Sequence, residues 1–408
     1  MAPGSPIPDH VDALVVGGGP AGSATATWLA RGGVRVLLVD RARFPRDKAC
    51  SEYLGPGCLL HLERLGVLSG LRAAGQPLEG TTVTGPGGAQ LTGLFEQASP
   101  PPEFPTGLSL PRRILDARLL DAARDAGVAV REDTPVEDLL RTGSRIEGAV
   151  LRQEALLRPV RARIVIGADG LHSLVARRMG TRRQGRLRRV ALVAHVEGVD
   201  GLQRRAEMHV GREGYVGLNP LGGGLANVAL VVPRRRARAA RGRVAPFFFE
   251  ALETFPGVRG RVPREGLVRE IMATGPFAQW SSEVVTDGAL LVGDAADFFD
   301  PFTGEGIYSA LLGAELAAGI VADALTRPGP AGRAALRPYI RARRDAFLGK
   351  WAVERLLGYA MLWPGLFNRA VDRLGRRGDM AHTLLGVTGD FLPARRVLNP
   401  LFISAMVV

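Results

Sequence analysis

The sequence predicts an α/β fold: a parallel sheet flanked by helices, an antiparallel β-sheet inserted into it, and a helical C-terminal region. Three observations carry this. The chain opens on an apolar run (residues 12–16, DALVV), a glycine-rich turn, a helix of small residues (21–31) and a second apolar run (35–39, RVLLV). Such a strand–helix–strand unit pairs its strands in parallel through a right-handed crossover. Between residues 188 and 232, strand-length pieces alternate with turns (VALVAHVEG, AEMHVG, EGYVGLNP, LANVALVVP). From 336 to 399 the pattern is mostly helical, punctuated by Pro364 and Gly378.

The other elements fall in order between these. Residues 80–105, rich in Gly and Pro, read as strands and loops, and 112–126 place Leu115, Leu119, Leu120 and Ala123 on one helical face. Residues 128–150 read as short strands, 163–166 and 289–292 as apolar strands, and 244–254 and 306–325 as helices. The expected organisation is a nucleotide-binding domain in three segments (1–80, 111–182, 276–328), substrate-domain strands at 81–110, a β-sheet substrate domain at 183–275 and the helical region at 329–408. The proline-rich leader is expected to be disordered.

The 408 residues carry a net charge of +13, almost all of it arginine; Lys48 and Lys350 are the only lysines. The arginines are scattered, apart from 182–189 and 234–243. That argues against a nucleic-acid partner and for a field that draws in phosphate-bearing cofactors. Two cysteines, Cys50 and Cys58, provide neither a disulfide framework nor zinc spacing, so no metal is expected. No basic residue precedes an apolar run at the start, and no uncharged apolar run reaches the roughly 18 residues of a membrane span. A cytoplasmic protein with at most peripheral membrane contact is the expectation. The aromatic-rich stretch 356–367 reads as a helix covering the core, or as a segment that docks on a membrane or covers a lipophilic substrate.

Three segments carry chemistry. Gly17-Gly18-Gly19-Pro20-Ala21-Gly22 lies between strand and helix. In that spacing Gly17 permits the turn, Gly19 lets the backbone approach a pyrophosphate, and Gly22 lets helix and sheet pack closely. The helix N-terminus supplies free N–H groups to the phosphates, and Asp40, followed by Arg41, ends the second strand where a ribose diol is recognised. The pattern is that of a Rossmann-like dinucleotide site. Gly293-Asp294 ends another strand, and Pro301-Phe302-Thr303-Gly304-Glu305-Gly306 opens a helix. A carboxylate there meets a polyol, the glycines admit a planar ring, and the helix dipole favours the negative charge that a reduced flavin carries. Gly167-Ala168-Asp169-Gly170, with Ser173 and Arg177, is the third; alone it reads equally as a turn and helix cap.

In order, spacing and setting, these segments resemble the FAD-dependent oxidoreductases of the para-hydroxybenzoate hydroxylase fold, which include aromatic hydroxylases, geranylgeranyl reductases and flavin-dependent halogenases. The resemblance spans residues 12–325. It implies FAD, with Asp294 on the ribityl chain, Arg112 of an R-x-x-L-D helix start approaching the cofactor, Asp169 as the carboxylate of the second fingerprint, and Pro301 beside the reacting ring. Residues 44–54 (FPRDKACSEYL) resemble the Pro-Arg-x-Lys-x-Cys segment of the geranylgeranyl reductases, with Ser51 in place of glycine. This makes Cys50 a candidate acid beside the flavin. The substrate motif of that branch, Tyr-x-Trp-x-Phe-Pro, is altered to Tyr215-Val216-Gly217-Leu218-Asn219-Pro220. The halogenases' Trp-x-Trp-x-Ile-Pro and active-site lysine have no counterpart.

The expected function is therefore FAD-dependent oxidation or reduction of a hydrophobic small molecule. The altered motif favours a monooxygenase, hydroxylating or epoxidising an intermediate of natural-product biosynthesis. The alternatives are a C=C reductase or dehydrogenase of a prenyl or lipid-like substrate, with Cys50 or Tyr215 handling the proton, and a redox-neutral cyclase or scaffold. With one dinucleotide fingerprint, NAD(P)H is expected only as a transient reductant. His195 and His209 read as satisfied sheet residues.

Overall fold

A computed structural model describes residues 7–407. The start of the proline-rich leader lies outside the described residues. The apolar runs at His10–Val16 and Val36–Val39 pair in parallel, and Leu156–Gly167 joins the other side of the first strand, also in parallel. Ala129–Arg131 and Ala289–Leu291 extend the sheet outward in the same sense. Antiparallel Val136–Thr142, Arg145–Gln153 and Val285–Thr286 complete its eight strands. Every residue of Val36–Val39 is buried, as a strand covered on both faces requires. The helix Pro20–Arg31 packs between Arg112–Asp125 and the long helix Gly306–Leu325. Gly306–Leu325 alone among the described helices has the length and hydropathy to cross a membrane, but it is half buried and also packs against Arg333–Ala360.

The second sheet has seven strands in the order Met272–Thr274, Arg189–Glu197, Leu225–Pro233, Gly214–Gly222, Arg205–Gly211, Gly80–Thr84, Gln90–Leu94. It departs from the expected antiparallel sheet at one seam: Gly80–Thr84 runs parallel to Arg205–Gly211. The two strands are separated in sequence by the whole second nucleotide-binding segment, and such a long connection allows the parallel pairing a hairpin forbids. Gly107–Ser109 leaves this sheet and pairs with Tyr53–Leu54 and Gln76–Leu78. Side chains alternate across the sheet. Ala191, Val193, Ala229 and Val231 face the C-terminal helices and the cleft. Leu192, Ala194, Val228, Leu230 and Val232 face a separate core under the helix Val244–Leu252. Burial on both faces explains why LANVALVVP reads as a continuous apolar run.

Pro364 and Gly378 each open a helix, Pro364–Gly375 and Gly378–Thr388; proline at a first helical position sacrifices no hydrogen bond. Two helices, Pro56–Arg64 and Leu68–Ala74, escape the sequence pattern, being too short to establish a helical period.

Candidate functional site

The glycine-rich turn is shaped by contacts that no larger residue survives. Gly17 has φ 107°, and a Cβ there would lie 2.5 Å from the Ala168 carbonyl oxygen. A Cβ on Gly22 would lie 1.8 Å from the Gly17 carbonyl oxygen. Gly19 is different. It precedes the helix Pro20–Arg31 with no side-chain cap, and a Cβ on it would meet only the guanidinium tips of Arg46 at 3.8 Å and Arg112 at 4.0 Å. Free helix N–H groups and two guanidinium groups thus border one spot, a site built for phosphate. Asp40 accepts N–H bonds from Gly18 (2.6 Å) and Ala42 (2.8 Å), and each oxygen keeps a lone pair for a ribose diol.

Three cavities follow one another from this turn. The first, about 550 Å³, is lined by Gly17, Gly19, Asp40, Arg41 and Asp169. It shares Gly19, Lys48 and Ala168 with a second, lined by Pro20, Ala21, Cys50, Arg112 and Asp294 and closed by Pro301, Gly304 and Gly306. The second shares Ser51, Tyr53, Met208, Gly217, Pro301 and Gly304 with a third, an apolar chamber of about 210 Å³ between the seven-stranded sheet and the C-terminal helices.

The second cavity concentrates charge. Arg112 is buried and binds Asp116 through two hydrogen bonds of 2.8 Å, one turn along its helix. Burial opposes its charge, but Asp116 more than compensates and holds the guanidinium charged. Arg46 reaches the same Asp116 at 2.9 Å. Burial lowers the pKa of Lys48, with Arg112 adding to the effect and Asp294 opposing it. Burial likewise raises Asp294, against Lys48 and Arg112. The Asp294 carboxylate lines the cleft and takes no hydrogen bond among the described residues, while its backbone carbonyl accepts from Arg182 at 3.2 Å. Half-buried and facing the cleft, this carboxylate is open to the donors of a ligand. Gly293 (φ 57°) presses against Ala21, and Gly304 (φ 73°) faces the Tyr53 ring, where a Cβ would come within 2.7 Å. The phosphate corner, the diol acceptor, the orphan carboxylate and the glycine-bordered slot fit FAD laid from the first cavity into the second.

Cys50 lines the second cavity; its Sγ accepts the Glu52 N–H at 3.4 Å and lies beside Arg112. Cys58 is separate: burial pushes its thiol up to about 12, and it packs in the core under the helix Pro56–Arg64. Two expected site residues, Asp169 and Tyr215, line the cavities and also bond within the protein. Asp169 accepts the Ser173 hydroxyl and the Leu174 N–H, both at 2.6 Å. It accepts at the start of the helix Leu174–Arg178 and also lines the first cavity. Tyr215 contributes its ring to the cavity wall, but its hydroxyl donates to Asp300 at 2.6 Å, and Asp300 also binds Arg189 at 2.9 Å. Burial and the Asp300 charge raise the pKa of Tyr215. Pro301 borders both the second cavity and the chamber.

Sequence reasoning missed the hub of this region, Glu52. It is 1 % exposed, with φ 58°. Its carboxylate accepts from the Arg112 N–H (2.8 Å), His195 Nε2 (2.6 Å) and Asn227 Nδ2 (2.9 Å). Asn227 and Asn219 also donate to the carbonyls of Cys50 (2.8 Å) and Ser51 (3.0 Å). The strands Leu225–Pro233 and Gly214–Gly222 therefore pin the Cys50 loop. His195 is a satisfied sheet residue bonded to Glu52, and His209 binds Glu207 at 2.7 Å. Lys48 and Arg46 were also missed as site residues; their only signal was their place in the Cys50 segment.

The fold and cleft define an FAD-dependent oxidoreductase. The family described as FAD binding domain matches residues 10–351, and the chain belongs to it. The chain is 33% identical over 325 residues to the menaquinone reductase of Mycolicibacterium smegmatis, covering 76% of each chain. It is 31% identical over 328 residues to the digeranylgeranylglycerophospholipid reductase of Methanosarcina mazei, covering 78% of this chain and 76% of that one. Among solved structures, a myxobacterial chondrochloren halogenase superposes with TM-score 0.80 at 25% identity, covering 98% of this chain and 95% of that one. A flavoprotein/dehydrogenase from Cytophaga hutchinsonii shares the fold with TM-score 0.83 at 20% identity, covering 98% and 97%.

Proposed function

We propose that the chain is a flavin-dependent reductase that saturates carbon–carbon double bonds in a polyprenyl-type lipid. The observation that carries this reading is the apolar chamber, which meets the flavin end of the cleft at Tyr53, Pro301 and Gly304. The names of the curated relatives, a menaquinone reductase and a digeranylgeranylglycerophospholipid reductase, support it over the monooxygenase reading. The altered motif also reads differently in place. Gly217, where that branch carries Trp, lines both the cavity and the chamber, so its small size widens the passage. The motif's change accommodates a bulky chain and does not argue against one.

Reduced FAD, when bound, supplies the hydride. The residues do the rest. The chamber walls exclude water and align the chain by burying it, at about 25 cal/mol for each Å² of apolar surface. Cys50, held by Glu52 and Asn227, delivers the proton to the second carbon from the throat. Arg112, Arg46 and Lys48 hold the phosphates and the flavin edge. NAD(P)H is the proposed source of electrons, admitted transiently at the same cleft.

The test is anaerobic turnover of the FAD-loaded protein with NADPH and menaquinone or a geranylgeranyl lipid, read by mass spectrometry. The reading expects a product gaining two hydrogens per bond without O2, and slower reduction in Cys50→Ala with flavin content retained. A product carrying oxygen, formed only in air, would return the protein to the monooxygenases.

A further inference from the structure

The C-terminal helices leave one corner of the molecule apolar. Leu362 is 51% exposed, Trp363 59% and Leu366 42%, all at the junction of the helices Arg333–Ala360 and Pro364–Gly375. The helix Pro400–Val407, packed against the second of these, adds Leu401 at 83%. Isolated exposed leucines need no explanation, but a cluster on one turn does.

Beside this turn lies a groove of about 410 Å³. Met361 and Leu362 form one side, and Arg186, Arg188, Arg212, Arg234 and Arg235 line the rest. The one carboxylate in the lining, Glu213, pairs with Arg235 and with neighbouring Arg236. The side chains of Arg186, Arg188, Arg212 and Arg234 have no acidic partner among the described residues. Four uncompensated guanidinium groups thus sit next to an exposed Leu-Trp turn. Phosphate oxygens match guanidinium geometry, and Trp favours the boundary between acyl chains and headgroups.

We propose that this corner docks on the surface of an anionic bilayer, with Leu362, Trp363 and Leu366 entering the acyl boundary while the arginine groove takes lipid phosphates. Charge complementarity selects this occupant: an apolar patch alone would suit a second copy of the chain, but facing arginine clusters would repel each other. The surface also leads inward. Leu356 and Leu366 are both exposed and part of the chamber wall, so the chamber's outer end opens onto the docking face. Docking stands without the reductase reading; entry of substrate from the bilayer rests on it.

The experiment is co-sedimentation of the FAD-loaded protein with phosphatidylcholine vesicles and with vesicles containing phosphatidylglycerol, at low and high salt. The proposal expects binding to the anionic vesicles, weakened by salt. Leu362→Ser/Trp363→Ser should weaken it about tenfold or more, and Arg212→Gln and Arg234→Gln roughly fivefold each. Circular dichroism and the flavin spectrum establish that each variant is folded, and the arginine variants test the surface if the apolar pair misfolds. Equal binding to neutral vesicles, or no binding to either, overturns the proposal. So does a salt-insensitive dimer abolished by the same serine substitutions, which assigns the patch to a second copy. Calorimetric binding of inorganic phosphate, lost in Arg234→Gln without vesicle binding, overturns it in favour of a soluble phosphate ligand. Turnover of a short, detergent-dissolved prenyl substrate is measured separately, so its failure counts against the reductase reading alone.

Discussion

Glu52 combines a left-handed backbone, near-complete burial and three hydrogen-bond donors on its carboxylate. A non-glycine residue in that region is strained by about 1–3 kcal/mol and persists only where its surroundings over-determine it. Glu52→Gln keeps the shape but removes the charge that His195 and Asn227 face. It should lower stability by about 1–3 kcal/mol and slow the proposed double-bond reduction while FAD stays bound. Thermal melts together with flavin content check this; unchanged stability would show that the hub is not a hub. Tyr215→Phe is the opposite case. Asp300 retains Arg189, so the variant should lose about 1–3 kcal/mol of stability with turnover within about twofold. A tenfold fall in kcat with a shifted pH profile would restore a catalytic Tyr215. Glu207 has a pH signature. Burial opposes its charge, but hydrogen bonds from His209 and Arg261 hold its carboxyl down to about 2, from an ordinary 4.5. Because the folded value is depressed, the stabilisation is complete above about pH 4.5 and is lost as pH falls toward 2. Solvent screening at this partly open site limits it to on the order of 1–2 kcal/mol. Glu207→Gln should flatten that acid limb in pH-dependent unfolding; an unchanged limb would place the acid sensitivity elsewhere.

At the scale of elements, the cofactor end depends on one turn closing against one strand. A methyl group on Gly22 would overlap the Gly17 carbonyl oxygen at 1.8 Å, with Ala168 Cβ behind it at 3.2 Å. Both immediate obstacles belong to buried main-strand segments, so neither yields without moving the helix Pro20–Arg31. Gly22→Ala should therefore abolish FAD retention, read by absorbance of the purified protein. Retention at wild-type level would mean that the helix moves freely. The same geometry explains why this end was legible. Glycine spacing, strand length and helix start are local properties, each enforced within a few residues. The chamber end was not. Its walls come from residues as far apart as Val83, Met208, Phe302, Phe367 and Leu385, each of which reads locally as ordinary core.

Across the whole molecule, the seven-stranded sheet and the C-terminal helices act together. One face of the sheet closes the flavin end of the cleft; the helices roof the chamber beside it. Lys350, reaching from the helix Arg333–Ala360, pairs with Glu305 at 3.3 Å and with Asp390, tying the roof to the Gly304–Gly306 turn. Filling the chamber should separate its role from the cofactor's. A Cβ on Gly217 already lies 3.3 Å from Met208 Sδ, so Gly217→Trp would occupy the passage. Under the proposed reductase function, flavin binding and its reduction by NADPH should persist, while KM for long prenyl chains rises several-fold; an unchanged KM would place the substrate elsewhere. The parallel sheet, the dinucleotide turn and the helical C-terminus could be read from the residues alone, because turn chemistry and periodicity are written in neighbouring positions. That Tyr215 bonds Asp300, that Glu52 lies against Cys50 and that an apolar chamber adjoins the cleft emerged only on folding. Those outcomes depend on which distant groups arrive within hydrogen-bond or van der Waals reach, and the long-range pairing of strands 80–84 and 205–211 sets that arrival.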